Sequence, residues 1–336
     1  ICRAKKLTIM RYHNLNTIIS LPYPSNSNNY VLRFLDYFLA SFLFIIILVR
    51  YNTRLLFSIT LWDISILLNF YAKILGVKRI TELSLVGSDD PLTLSIQNTF
   101  YNKLKLYQLK VANHIYCVST ALYNTCIEFG FEEKKLTKKI NSPDSNIFYY
   151  VNQKRQFEIR ESLNISENKI VLICIGRICS RKNQLYLLDI LQYLPSNYLL
   201  LLVGPGDKEY IDSIRRKMKH DNINNVIIVD KLITDVQLYM MASDIFVFSS
   251  NREGFGTVMV EALMCGIPIV SLYLKNISED IFLHPSFGTF LHDKSPHNFA
   301  KNVKKFHNNK CETISFKAKS IFSAEVNDFN YSMLLN

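Results

Sequence analysis

Short apolar runs separated by polar turns recur along most of the chain, and their length and spacing distinguish strands from helices. In the second half the pattern is regular. Ile170–Ile175, Tyr198–Val203, Val226–Val229, Ile245–Phe248 and Ile267–Ser271 have the length and composition of buried strands. Between them, Asn183–Leu191, Lys208–Met218, Thr234–Met241 and the segment after Gly256 read as helices. In the first half, strands are predicted at Leu55–Ile59, Arg79–Leu83 and His114–Val118. Helices are predicted at Ile64–Leu75, Ile96–Val111 and Thr120–Phe129, the first and last closing at Gly76 and Gly130. Repeated β-α units of this length predict a parallel, doubly wound sheet in each half. The expected fold is α/β with two Rossmann-like domains, whose ligands lie beyond the carboxyl ends of the strands.

The pattern loosens at three places. Residues 141–168 turn polar, with Pro143 and the charged patch QKRQFEIRE, and are expected to hold an interdomain linker with a short helix. This divides the chain into a first domain at 1–148, a linker at 149–168, a second domain at 169–320 and a tail at 321–336. Ser315–Ser323 is expected to start a final helix. At the front, Leu7–Tyr12 and Ile18–Leu21 are short strand candidates, ending in the turn PYPSNSNN. Residues 31–49 form the most apolar run. A spanning helix needs about 20 apolar residues, and Arg33 and Asp36 leave only the 13 from Tyr37 to Val49. With a strand following within a few residues, the segment is predicted to be a helix packed on a sheet, one face near lipid. A membrane span is the alternative.

The stretch DIFVFSSNREGFGTVMVEALMCGIPIVS (244–271) carries the most chemistry. A buried strand leads into the loop NREGFG, and Thr257 is expected to cap a helix that Gly266 stops and Pro268 keeps from resuming. A strand, a glycine-bearing loop and a helix N-terminus make an anion site, because the first turn leaves backbone N–H groups unpaired. Glu253 and Glu261 bracket it. Two readings are open for them: acids that stabilise the helix dipole, or acceptors for sugar and ribose hydroxyls. Gly254 and Gly256 bare the backbone where a ligand would approach, which favours the second. Arg177 and Lys182 follow the strand Ile170–Ile175 in a loop that leads to a helix, where they are either solvated charges or the partners of a diphosphate.

The spacing of Glu253 and Glu261 resembles the E-x7-E signature of GT-B glycosyltransferases, specifically the retaining family-4 (group 1) type. VLICIGRICSRKNQ (171–184) is similar to the family's strand and G-R-x4-K segment, LLLVGPGD (200–207) to its next strand and Gly-rich turn, and KKINSPDSNIF (138–148) to its N-G-V-D linker. The resemblance covers about residue 50 onward. It implies a metal-independent enzyme that moves a sugar from a UDP- or GDP-sugar to a glycan or lipid-linked acceptor, in a cleft between the two domains. Arg177 and Lys182 would hold the diphosphate, at the loop opened by Gly176. Glu261 would accept from the ribose, and Glu253 with the backbone of Gly254, Phe255, Gly256 and Thr257 would hold the sugar and distal phosphate. No cofactor is implied beyond the donor. The family's opening strand, Gly-rich turn and helix find no match before residue 31, so the chain is expected to be truncated at its front, binding donor weakly and transferring little. Where the family commonly has an acceptor-side histidine, this chain has Glu82. Two other readings stay open: a sugar-nucleotide epimerase of the same fold, and an inactive sugar-nucleotide-binding relic.

Charge and composition add limits. The net charge is +11, and residues 1–150 hold 17 Lys+Arg against 9 Asp+Glu. A basic first half suits an anionic membrane surface or a phosphate-bearing acceptor. No basic cluster interleaved with stacking aromatics suggests nucleic acid. The seven cysteines include no C-x-x-C pair, and several lie inside apolar runs. They read as small buried hydrophobes in a reducing compartment, which places the protein in the cytoplasm, at the face of a membrane if it docks there. The aspartates of GSDD (87–90) are adjacent rather than two apart, and His284, His292 and His297 share no ligand spacing, so no metal site is expected.

Overall fold

The computed structural model describes residues 2–4, 8–12, 16–22, 30–59 and 63–327, and two parallel sheets dominate it. The turn expected at 22–29 and the end of the tail, 328–336, lie almost wholly outside the described residues. At the front, β1 (Cys2–Ala4), β2 (Thr8–Tyr12) and β3 (Asn16–Pro22) form a small sheet in the order β1-β3-β2. β2 and β3 pair antiparallel, β1 and β3 parallel. The apolar run folds as one helix, Tyr30–Arg50. It packs Phe44 and Leu48 against Ala72 and Val77. Among the described residues no helix is long and apolar enough to cross a membrane.

The first large sheet contains β4 (Leu55–Ile59), β5 (Lys78–Leu83), β6 (His114–Cys117) and β7 (Leu136–Lys138), side by side in that order and all parallel. The expected helix Ile96–Val111 is two helices, Pro91–Gln97 and Phe100–Lys110. Asn98 breaks it by adopting a left-handed conformation at φ 44°. Asp90 caps the first helix through Thr93 N, and Thr99 caps the second through Asn102 N. A single continuous helix would have left Thr99 in its interior and both caps unused.

The second sheet is built from β8 (Ile170–Ile175), β9 (Tyr198–Val203), β10 (Val226–Val229), β11 (Ile245–Phe248), β12 (Ile269–Leu272) and β13 (Gly288–Leu291). Their spatial order is β10-β9-β8-β11-β12-β13, all parallel. Chain order reverses between β8 and β11, which opens a crevice at their carboxyl ends. β7 and β13 are additions to the sequence reading, which had placed no strand at either. Helix Gln153–Ser162, in the polar stretch, is tied to this sheet. Arg160 Nη2 bonds Asp244 Oδ2 at 2.7 Å and its Nε bonds Ala242 O at 2.8 Å, while Asp244 Oδ2 also accepts from Val171 N. The last long helix, Glu312–Phe322, lies against helix Thr257–Met264, with Ser315 donating to Met264 O.

Candidate active site

The crevice between β8 and β11 is where the motif residues gather. Lys182 crosses from the loop after β8 to the loop after β11, and its Nζ stands 2.8 Å from Glu253 Oε1. Arg181 Nη1 reaches the same oxygen at 2.9 Å and Arg252 O at 2.7 Å. Ser250 Oγ donates to Glu253 Oε1 at 2.6 Å. Three donors therefore converge on one oxygen of a carboxylate that is only 8% exposed. Oε1 is thus taken up by protein donors and is not open to a ligand hydroxyl. The physical reason is burial: a buried carboxylate needs compensating charge, and the two neighbouring cations supply it. Lys182 also lies over the Phe248 ring, 4.9 Å from its centroid, and its Cε runs 3.2 Å from where a Cβ on Gly176 would sit.

Arg177 behaves differently from its motif partner. It is well exposed, and its Nη2 and Nε pair with Asp207 Oδ1 at 2.5 and 3.1 Å. Sequence reasoning singled out Arg177 and Lys182, yet Arg181 is the cation that joins Lys182 on Glu253. Its place directly before Lys182 was a signal, but one shared with any basic loop residue.

Helix Thr257–Met264 starts from Gly256, which is left-handed at φ 88° and holds the N-cap place with no side-chain cap bond. Thr257 is the first helical residue, not the cap expected. Glycine there frees the amide end of the helix from any covering side chain. Phe255, 3% exposed, anchors the loop in the core. One turn along, the Glu261 carboxyl has no hydrogen bond or ion pair among the described residues. Burial raises it to about 7. An acid held this way accepts most strongly from hydroxyl donors once it ionises.

The loop 251–256 also touches the first sheet's carboxyl edge. Val86 N donates to Glu253 O at 3.2 Å and Arg252 Nη1 to Gly87 O at 2.9 Å. A Cβ on Gly254 would stand 1.7 Å from Ser84 O, so only glycine permits this approach. A second contact joins the halves nearby. Asp280 accepts from Thr120 N at 2.7 Å and Thr120 Oγ1 at 2.6 Å, at the start of helix Thr120–Phe129. Lys138 Nζ adds an ion pair to Asp280 at 3.3 Å.

Other candidates are structural in this geometry. Asp90 accepts from Gly87 N and Thr93 N, and Asp89 from Ser84 Oγ. Burial raises both Glu82 and Asp89 above the usual carboxylate range, against the pull of Lys139 and Lys105. His292 lies 4.1 Å from the Tyr273 ring, and His297 packs on Tyr193. Among the described residues no group of three His, Cys, Asp or Glu could hold a metal ion. Buried Cys174 and Cys265 are each pushed up to about 12, which leaves them as inert thiols.

The family model described as glycosyl transferases group 1 matches residues 155–320, which include Arg177, Lys182, Glu253 and Glu261. Residues 155–320 form a glycosyl transferases group 1 domain, and the two-sheet fold is that of a GT-B glycosyltransferase. Over 175 residues it is 25% identical to UDP-Gal:alpha-D-GlcNAc-diphosphoundecaprenol alpha-1,3-galactosyltransferase of Escherichia coli, covering 51% of this chain and 45% of that protein. It is 27% identical over 136 residues to alpha-monoglucosyldiacylglycerol synthase of Streptococcus pneumoniae, covering 39% of this chain and 31% of that one. The chain thus spans about half the length, or less, of these curated relatives. Among solved structures, Anabaena HepE in complex with UDP and glucose matches with a TM-score of 0.72 at 18% identity, over 86% of this chain and 79% of that one. Sucrose-phosphate synthase from Thermosynechococcus elongatus matches with a TM-score of 0.74 at 17% identity, over 94% of this chain and 82% of that one. These structures share the two-sheet GT-B fold.

Proposed function

We propose that this glycosyltransferase takes a UDP- or GDP-sugar as donor and passes its sugar, with retention at the anomeric carbon, to a glycan or lipid-linked acceptor. The observation that supports it best is the meeting of Lys182, Arg181, the open helix start at Gly256 and an unpaired Glu261 at one switch point. Arg177 and Lys182 stabilise the charge that gathers on the departing diphosphate, Arg177 by turning from Asp207. The amides of Gly254 to Thr257 receive the distal phosphate and sugar. Glu261 accepts from the ribose hydroxyls. Glu253, pinned by Lys182 and Arg181, holds the loop in register and faces the sugar with its remaining oxygen. With the charge compensated by side chains and a helix start, the transfer needs no divalent ion. The leaving phosphate assists the acceptor hydroxyl in losing its proton as the new glycosidic bond forms on the same face.

The division at 149–168 assigns donor binding to 169–320 and acceptor binding to 1–148, whose basic surface contacts the cytoplasmic face of a membrane. Titration calorimetry with UDP, GDP and their sugars tests the donor assignment, and Glu261→Gln should weaken the nucleotide that binds. Transfer assays with EDTA should retain activity, and NMR of the product should show the donor's anomeric configuration. If neither nucleotide binds, the reading falls.

A further inference from the structure

Most helices of the chain that begin with a polar side chain use it on their own first turn. Asp90, Thr99, Ser119, Asn152 and Ser295 each accept from the amide three residues on. Helix Lys208–His220 departs from this. Its N-cap is Asp207, among the residue types best suited to that place, and the backbone there is extended, at φ −79° and ψ 120°, as an N-cap requires. Yet the carboxylate makes no cap bond. It is turned to Arg177 instead, and its Oδ1 accepts from Nη2 at 2.5 Å and from Nε at 3.1 Å. A capping Asp would serve Glu209 N or Tyr210 N. Among the described residues neither amide has a hydrogen-bond partner.

The main chain under both side chains is fixed. Asp207 N donates to Ile178 O at 2.9 Å, and Gly206 N to Asp230 Oδ1 at 2.8 Å. On the other side, Arg177 O accepts from Gln184 Nε2 at 3.1 Å. Any change of partner is therefore a rotation about side-chain bonds, between staggered wells. Neither side chain is enclosed, with Arg177 66% and Asp207 47% exposed, so both have room to turn.

We infer that Asp207 is a positioning residue with two alternative partners. Without donor it holds Arg177 beside the crevice. When Arg177 turns to the diphosphate, the freed carboxylate rotates onto Glu209 N or Tyr210 N and caps the helix. This rests on the assignment of Arg177 to the donor proposed above. It also accounts for an acid standing within bonding distance of a cation that has an anion to meet. An ion pair with no second use would oppose the donor by its whole strength. An exposed ion pair and an N-cap bond are of similar size, so gaining the second offsets losing the first. Arg177 is thereby kept in place and released at little net cost.

Amide hydrogen exchange at Glu209 and Tyr210, followed by NMR in the full chain, tests the change of partner. In the wild type without nucleotide both amides should exchange rapidly. Arg177→Ala should slow at least one of them about fivefold with no ligand present, the protection that one N-cap bond confers. Adding Asp207→Ala to that variant should restore the rapid rate, which identifies the acceptor. Saturating UDP or GDP, whichever calorimetry shows to bind, should slow the wild-type amides as Arg177→Ala does. Unchanged exchange in Arg177→Ala overturns the proposal, as does equally slow exchange in the double variant. So does unchanged exchange in wild type that has bound its nucleotide. If neither nucleotide binds while the two variants behave as expected, the donor reading falls and the two partners of Asp207 stand.

Discussion

The two large sheets differ in how completely they are sealed. In the second, every residue of β9, β11 and β12 is buried. In the first, the inner strands β5 and β6 are buried but for their first residues, while edge β4 buries only Ser58 and leaves Ile59 63% exposed, as edge β10 of the second sheet buries none of its four. The helices around the first sheet leave Phe38, Phe42, Phe70 and Ile74 in the open. Four inner strands make a rigid platform, and the charged loops at the switch point are held to narrow limits by it. The narrower sheet, with edge β4 and its outer helices, keeps apolar surface available.

Substitutions should read this difference directly. Phe246→Ala, in the sealed sheet and stacked on Phe248, should lower unfolding free energy in urea by about 3–5 kcal/mol, whereas Leu56→Ala in half-buried β4 should cost less than about 2. Equal losses would erase the distinction.

Turnover divides the cations next. Arg177→Ala and Lys182→Ala should each slow transfer on the order of 10²-fold. Only Lys182→Ala should also destabilise the fold, by about 1–3 kcal/mol, because it strips a partner from buried Glu253. Exposed Arg177 should leave the melting temperature where it is.

The pH dependence isolates Glu261. Its carboxyl is raised to about 7 by burial, so the folded state keeps a proton that the unfolded chain gives up near the ordinary value of 4.5. Its contribution to stability is full below about 4.5 and is lost as pH rises through 7. Nucleotide affinity should move the other way, rising between pH 6 and 8 as the carboxylate forms. Glu261→Gln should flatten both trends, measured by denaturation and calorimetry across the same buffers.

The smallest effect compares two glycines. Gly288, in the sealed sheet, has no room: a Cβ would stand 1.9 Å from Ile269 O. Gly130 ends helix Thr120–Phe129 at φ 94° with open space around it. Gly130→Ala should cost only the left-handed backbone penalty, about 1–2 kcal/mol, and Gly288→Ala clearly more, read as a difference in melting temperature.

Much of the architecture was legible because buried parallel strands read as unbroken apolar runs, as in VLICI and YLLLLV. The short edge strands were not. LTK and GTFL are too brief and too mixed in polarity to carry a period. The break at Asn98 was hidden because its neighbours keep a helical pattern on both sides. At the site, Lys182, Glu253 and Glu261 were named from spacing. Arg181 was missed, since a basic residue in a polar loop looks like solvated charge until the fold brings Glu253, 72 residues away, to its side. The partnership of Thr120 with Asp280 spans 160 residues and left no local trace.

That partnership has a kinetic consequence. Asp280 bonds the first residue of a helix belonging to the other half, beside its Ser119 cap, so parting the halves exposes two donors at Thr120 to water and removes one partner of Lys138. Such a bond is short-ranged. It is felt only when the two halves are within bonding distance. A contact of this kind slows the parting of the halves more than it speeds their meeting. The clasp holds the two halves at a point of its own, separate from the bonds that the loop 251–256 makes to the first sheet.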